Sequence, residues 1–271
     1  MLEGGINMKY ENNIIFAAHR GDRKNCPENT MPAFENALNF GVDMIETDIH
    51  MTKDGELIIM HDRNALRTTG HDGFTNEMTL EQLRTLDAGH LFSDKFTGTV
   101  VPTVKEFIDL IKNTNMQVNW ELKDYPFEVG DDFAFAAAEK LVAMVVESGL
   151  AERSMFNSFS DRVLEHIYVK YDKQFTIHGQ GMGKFSRTKD KSQISPEELY
   201  QWCCVYPDVR GEFVLDYPEN FTYCVERNIL PCICIEDNLE SYKRCLDLGC
   251  RMFTSNDIYE GDKILRQLNV R

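Results

Sequence analysis

The chain is poor in basic residues, has two tryptophans, and contains no apolar run long enough to span a bilayer. Its 29 Lys and Arg face 44 Asp and Glu, for a net charge of −15. That balance excludes a protein that grips nucleic acid or anionic membrane by long-range attraction, because both partners are polyanions. A local cationic site is still allowed. The lack of a spanning run predicts no stable membrane insertion. The opening "MLEGGINMKYENN" has no basic segment followed by an apolar core, which predicts no signal peptide and a cytoplasmic location. Composition leaves a homo-oligomer open.

The cysteines lack a pattern. Eight in 271 residues do not make a disulfide framework, and Cys203, Cys204, Cys232 and Cys234 sit in apolar runs, as small buried hydrophobes do. Cys232 and Cys234 share one face of a predicted strand, but no second pair with metal-ligand spacing accompanies them. Reduced core thiols are expected, not zinc.

What is present is a recurring order of short apolar strands and helical patterns. Strands are predicted over 13–19, 43–49, 116–122, 154–159, 174–179, 212–217, 230–236 and 251–256. The helical stretches between them include "TMPAFENALNFG", "VKEFIDLIKN", "AFAAAEKLVAMVVESG", "DRVLEHIYVKY", "SPEELYQWCCVY" and "NLESYKRCLDLG". In the first, Thr30 is the expected N-cap and Gly41 lies past the C-terminus. Eight βα units predict an α/β fold, a (β/α)₈ TIM barrel, with residues 1–271 as one domain.

"ELIIMHD" at 56–62 follows the second strand after only "TKDG". A parallel crossover needs a dozen or more residues, so this segment must return as a hairpin turning at Asp54-Gly55. Counting outward from the turn brings His61 opposite Thr47 and Asp48, at the barrel mouth. The stretch 63–101 is too long for an ordinary connection and predicts a small insertion over the mouth. Thr79 and Gln82 have capping-box spacing, so the insertion is expected to hold a helix.

Active sites on such barrels gather at the C-terminal strand ends. There the sequence puts His19 and Arg20, Glu46 and Asp48, His61, Glu121 and Lys123, and Asn256 and Asp257. Glu46 and Asp48 are two apart on a strand and share a face. Like charges held that close repel unless a cation lies between them. With Glu121 they make an oxygen donor set suited to a divalent ion such as Mg²⁺ or Ca²⁺; the alternative is a Glu121–Lys123 salt bridge with no metal. Arg20 and Lys123 can neutralise phosphate oxygens, and His19 and His61 can act as general base and general acid. His50 is expected beyond the mouth as a solvated residue, His71, His90 and His166 at the surface, and His178 near the pocket wall.

"HRG" with "PENT" downstream, then "IETDIHMTKDGELIIMHD", "LRTTG", "VPTVKEF", "WELK" and "FTSND", strongly resemble the glycerophosphodiester phosphodiesterase family, in order across nearly the whole chain. The resemblance implies a barrel that hydrolyses glycerophosphodiesters to glycerol 3-phosphate and an alcohol with a divalent ion. It puts the catalytic histidines at His19 and His61, the metal carboxylates at Glu46, Asp48 and Glu121, and the phosphate contacts at Arg20 and Lys123. It also implies a small-molecule phosphodiester as partner. Many members carry a tryptophan on the seventh strand where this chain aligns Cys234, which puts the alcohol in question rather than the chemistry. The alternatives are a lysophospholipase D or phospholipase C-like enzyme and a non-catalytic phosphodiester-binding protein. The latter predicts erosion of a histidine or a carboxylate, and none is eroded.

Overall fold

The computed structural model describes residues 14–205, 218–235 and 237–271. Among them, nine strands form one sheet: β1 (Ile15–His19), β2 (Met44–Met51), β3 (Leu57–Ile59), β4 (Gln117–Leu122), β5 (Ser154–Ser158), β6 (Thr176–Gln180), β7 (Trp202–Val205), β8 (Leu230–Cys234) and β9 (Met252–Ser255). β1 pairs in parallel with both β2 and β9, which closes eight strands into a barrel. β3 lies outside it, antiparallel to β2.

The two-residue period of each strand sorts side chains between lumen and helices. Ala17, Met44, Met155, Cys204 and Cys232 pack inside, whereas Phe16, Ala18, Ile45, Ile49, Val118, Trp120, Phe156 and Ile177 pack outward in a larger core under the helices. On β2 and β4 the inward positions above Met44 are Glu46, Asp48, Asn119 and Glu121, a polar ascent toward the mouth that apolar packing does not explain. The Met31–Phe40 helix ends at Gly41 in the left-handed region (φ 87°), as expected, with the Gly41 N–H donating to Ala37 and Leu38 carbonyls. Thr30 occupies the N-cap backbone position, but its hydroxyl donates to the Pro27 carbonyl instead of capping.

The hairpin forms as its Asp-Gly turn dictates, pairing Ile49 with Ile59 and Met51 with Leu57. The Met60 N–H donates to the Asp48 carbonyl at 3.0 Å, so the register carries His61 back beside the mouth. The insertion is ordered around its own apolar cluster of Ile58, Met60, Ala65, Leu83, Ala88 and Val101. Thr79 and Gln82 form the capping box of the Leu80–Leu83 helix.

Two expectations fail. The helix expected across "SPEELYQWCCVY" stops after Pro196–Leu199, and Trp202–Val205 is a barrel strand. Its alternation is the reason: Trp202 and Cys204 enter the lumen while Cys203 and Val205 meet the outer core. The strand expected at 212–217 lies outside the described residues. His50, expected in solvent, is 1% exposed. The chain after β4 folds over it, and Asp124 accepts from His50 Nδ1 at 2.6 Å and from the Met51 N–H at 2.7 Å.

Candidate active site

The turn after β1 builds the floor of the mouth. Arg20 has φ 59° and Gly21 φ 77°, so the chain reverses within two residues. A Cβ at Gly21 would lie 2.7 Å from the Ala33 carbonyl carbon, which leaves glycine as the residue that fits. The Arg20 N–H donates to the Glu46 carbonyl at 3.0 Å and to Glu46 Oε2 at 3.1 Å, anchoring the turn to β2. Asn29, left-handed at φ 56°, donates through Nδ2 to Asp48 Oδ2 at 2.7 Å and accepts from the Thr47 hydroxyl. Asparagine tolerates that backbone region better than most side chains.

All seven residues singled out as catalytic, substrate-binding or metal-binding stand at the C-terminal ends of β1, β2 and β4 or on the returning hairpin. One carboxylate oxygen each of Glu46, Asp48 and Glu121 lies within 4.8 Å of the other two, and all three residues are buried. Glu46 Oε1 and Asp48 Oδ1 have no hydrogen-bond partner. Burial, with repulsion from Asp48 and Glu121, pushes the Glu46 carboxyl well above its ordinary pKa, and Glu121 is also raised, chiefly by burial. Asp48 goes the other way: burial opposes its charge, but Lys123 and Arg20 outweigh it. Lys123 Nζ is 2.6 Å from Glu121 Oε1 and 3.4 Å from Asp48 Oδ1, and Arg20 Nε is 3.2 Å from Asp48 Oδ2. Two cations against three buried carboxylates leave negative charge over, and the orphaned oxygens point the same way. The donor set therefore fits a divalent, oxygen-preferring ion.

His19 Nδ1 lies 2.7 Å from Asn256 Oδ1 and 3.3 Å from Arg23 Nη1, and its Nε2 is 3.7 Å from Glu46 Oε2. Burial lowers its pKa to about 4, with Arg20 acting in the same direction. His61 Nδ1 meets the Asp62 carboxylate at 2.6 Å. Its pKa is also lowered, first by burial, while Asp48 pulls it upward.

Several neighbours carry signals the sequence reading did not use. Glu28, inside "PENT", receives Arg20 at 2.9 Å, Arg23 at 2.8 Å and Arg67 at 2.7 Å. Arg67, on the insertion, also pairs with Asp62 and so links the insertion to the partner of His61. Asn157 and Gln180 continue the polar layer beyond Glu121 on β5 and β6. Asp257, by contrast, caps the last helix and pairs with Lys24 at 3.5 Å. His166 is a surface residue stacked on Phe135 and paired with Glu139, as expected of it.

Fold and mouth together define a (β/α)₈-barrel protein whose mouth gathers three buried carboxylates, two cations and two imidazoles. The chain belongs to the glycerophosphoryl diester phosphodiesterase family, whose model matches residues 19–229. It is 40% identical over 157 residues to a glycerophosphodiester phosphodiesterase of Caldanaerobacter subterraneus, a match covering 56% of this chain and 61% of that one. It is 42% identical over 173 residues to a glycerophosphodiester phosphodiesterase of Bacillus altitudinis, covering 61% and 69%. Among solved structures, a phosphodiesterase of Oleispira antarctica in complex with the product sn-glycerol-3-phosphate superposes with a TM-score of 0.76 at 18% identity, covering 93% of this chain and 96% of that one. A putative glycerophosphoryl diester phosphodiesterase of Silicibacter pomeroyi reaches 0.80 at 20%, covering 98% of both. These likenesses carry the fold. Among the described residues no helix is long and apolar enough to cross a membrane.

Proposed function

We propose that the chain hydrolyses glycerophosphodiesters to glycerol 3-phosphate and an alcohol, as a single cytoplasmic barrel domain whose insertion, residues 63–101, borders the substrate. The observation that carries this reading is the meeting of two imidazoles, a guanidinium, an ammonium and three carboxylates within one mouth. Glu46, Asp48 and Glu121 would hold Mg²⁺ or Ca²⁺, which when bound offsets negative charge growing on the phosphate oxygens. Arg20 and Lys123 bind and orient the phosphodiester. His19, neutral, accepts the proton of the attacking hydroxyl. His61 donates a proton to the leaving oxygen; Asp62 behind it stabilises the imidazolium, and the bound phosphodiester anion raises its pKa again.

The test is chemical. The metal-stripped protein is given a panel of glycerophosphodiesters with Mg²⁺ or Ca²⁺ in turn, and the products are read by phosphorus NMR. Glycerol 3-phosphate that appears only with the ion is expected, and a folded protein that yields no phosphorus product with either ion overturns the reading. A second reading, a lysophospholipase D, is favoured by Leu66, Leu91 and Phe92, which stand 50%, 55% and 45% exposed on the insertion. Lysophospholipids in the same panel separate the two.

A further inference from the structure

Phosphodiester chemistry leaves one part of the lumen unused. Below the mouth, a cluster drawn from β1, β2, β5, β7, β8 and β9 includes Met44, Met155, Trp202, Cys204, Cys232 and Met252, with Cys234 packed against it. Into this sulfur-rich wall projects an imidazole. Nε2 of His178 lies 3.0 Å from the Cys232 sulfur. One donor atom each of His178, Cys204 and Cys232 lies within 4.8 Å of the other two, and all three residues are buried. They come from three consecutive strands, with Cys204 and Cys232 side by side in the β7–β8 register. Cys234 lies on the same face one step nearer the mouth and packs against the cluster. It is partly exposed, which gives the cluster an entrance.

Thiols packed as small hydrophobes would account for the cysteines alone. They do not account for a fully desolvated histidine aimed at them, nor for the state of its other nitrogen. His178 Nδ1 is 3.1 Å from Asn119 Nδ2, while Asn119 Oδ1 is buried with no partner. Turning that amide over sets Oδ1 against an Nδ1–H. The oxygen gains a bond while the amide Nδ2 gives up the one it makes to Nδ1, the proton is fixed on Nδ1, and the Nε2 lone pair faces the sulfurs. That tautomer, held by an outer carbonyl, is the one a histidine metal ligand adopts.

We propose that His178, Cys204 and Cys232 form a binding site for a thiophilic cation of the zinc type, with Cys234 as fourth donor. Zinc bonds of about 2.3 Å to sulfur and about 2.0 Å to nitrogen set tetrahedral donor atoms under about 4 Å apart, so small side-chain rotations close the cluster on the ion. Binding exchanges thiol protons for the cation. The carboxylates at the mouth are hard donors suited to Mg²⁺ or Ca²⁺, so the two sites sort two classes of ion. The bound ion ties β6, β7 and β8 together beneath the site and stabilises the folded chain by mass action.

The experiment uses the full chain, reduced and chelator-treated, with excess Mg²⁺ to occupy the carboxylates. Cobalt(II) is titrated as a spectroscopic stand-in. One equivalent is expected to give sulfur-to-cobalt charge-transfer absorption and intense tetrahedral d–d bands, which zinc then abolishes. Cys204→Ala and Cys232→Ala should each lose the bands, Cys26→Ala outside the cluster should keep them, and Asn119→Ala should weaken binding about 10- to 100-fold. No sulfur band in the wild type, or an undiminished band in folded Cys232→Ala, overturns the proposal. A measurement independent of the variants is X-ray absorption on the zinc-loaded wild type. A sulfur shell supports the site, and a shell of oxygen and nitrogen alone overturns it.

Discussion

The two sides of the barrel lumen handle burial in opposite ways. On the β1, β2 and β4 side, three carboxylates and two cations are crowded together with their charges only partly balanced, so Glu46 and Glu121 are driven toward the protonated form while Asp48 is held ionised by Lys123 and Arg20. On the β6 to β8 side burial drives the His178 pKa down to about 4 against an upward pull from Cys234, whose own thiol pKa is lowered by the neighbouring Cys204 and Cys232. The first side stores electrostatic tension that a divalent ion relieves. The second stays quiet until its thiols give up protons. One closed sheet can hold both because its strands place successive inward residues at fixed heights, and chemistry is chosen strand by strand.

The comparison is broken most severely at the histidines. His19→Gln and His61→Gln should each lower kcat by at least about 100-fold, within the range of about 10² to 10⁴ for a general acid or base, with the combined loss far from multiplicative. The fold and the cobalt–sulfur spectrum should not change. A p-nitrophenyl diester should largely rescue His61→Gln, because its leaving group needs little protonation; absence of rescue in both variants removes the acid–base assignment and leaves two electrostatic clamps.

A smaller effect sharpens the contrast through pH. Glu46 and Glu121 have raised folded pKa values, so their contribution to stability is present below the ordinary carboxylate range and is lost as pH rises through the folded values. Mg²⁺ must displace those protons. The Tm gain on adding Mg²⁺ should therefore grow with pH, and Glu121→Gln should weaken Mg²⁺ binding by about tenfold or more, no less than the loss of an outer partner. Isothermal titration and thermal melts check both; a Tm gain independent of pH contradicts the protonated carboxylates.

A further effect of pH lies at the start of the helix after β5. Asp161 begins the Asp161–Lys170 helix, accepts from the Tyr200 hydroxyl, and is raised to about 6 by burial. Its stabilising contribution is complete below about 4 and lost as pH rises through about 6. Asp161→Asn should gain on the wild type by up to about 3 kcal/mol between pH 4 and pH 8, measured by urea denaturation. A constant difference across that range would acquit Asp161.

What the sequence made legible follows from range. Residues such as Glu46 and Asp48, two apart on one strand, declare a shared face locally, and Asp54-Gly55 declares its turn. His50 obeys the same period, but whether it meets solvent depends on Asp124, which lies 74 residues away. β7 was hidden because "SPEEL" is a true helix start and the alternation that follows covers only four residues. Asn29 and Asn256 act through contacts across 19 and 237 positions. The His178 cluster is illegible for the same reason: no local spacing joins residues that only the closed barrel brings together.

The hairpin described above has a consequence for how this site can change over generations. By folding back within a few residues, it keeps all seven proposed working side chains on one uninterrupted stretch from His19 to Lys123. A genetic rearrangement that reopens the chain anywhere after β4 and joins the old ends would carry the whole chemical kit as one inheritance, leaving the later strands free to experiment with other cargo.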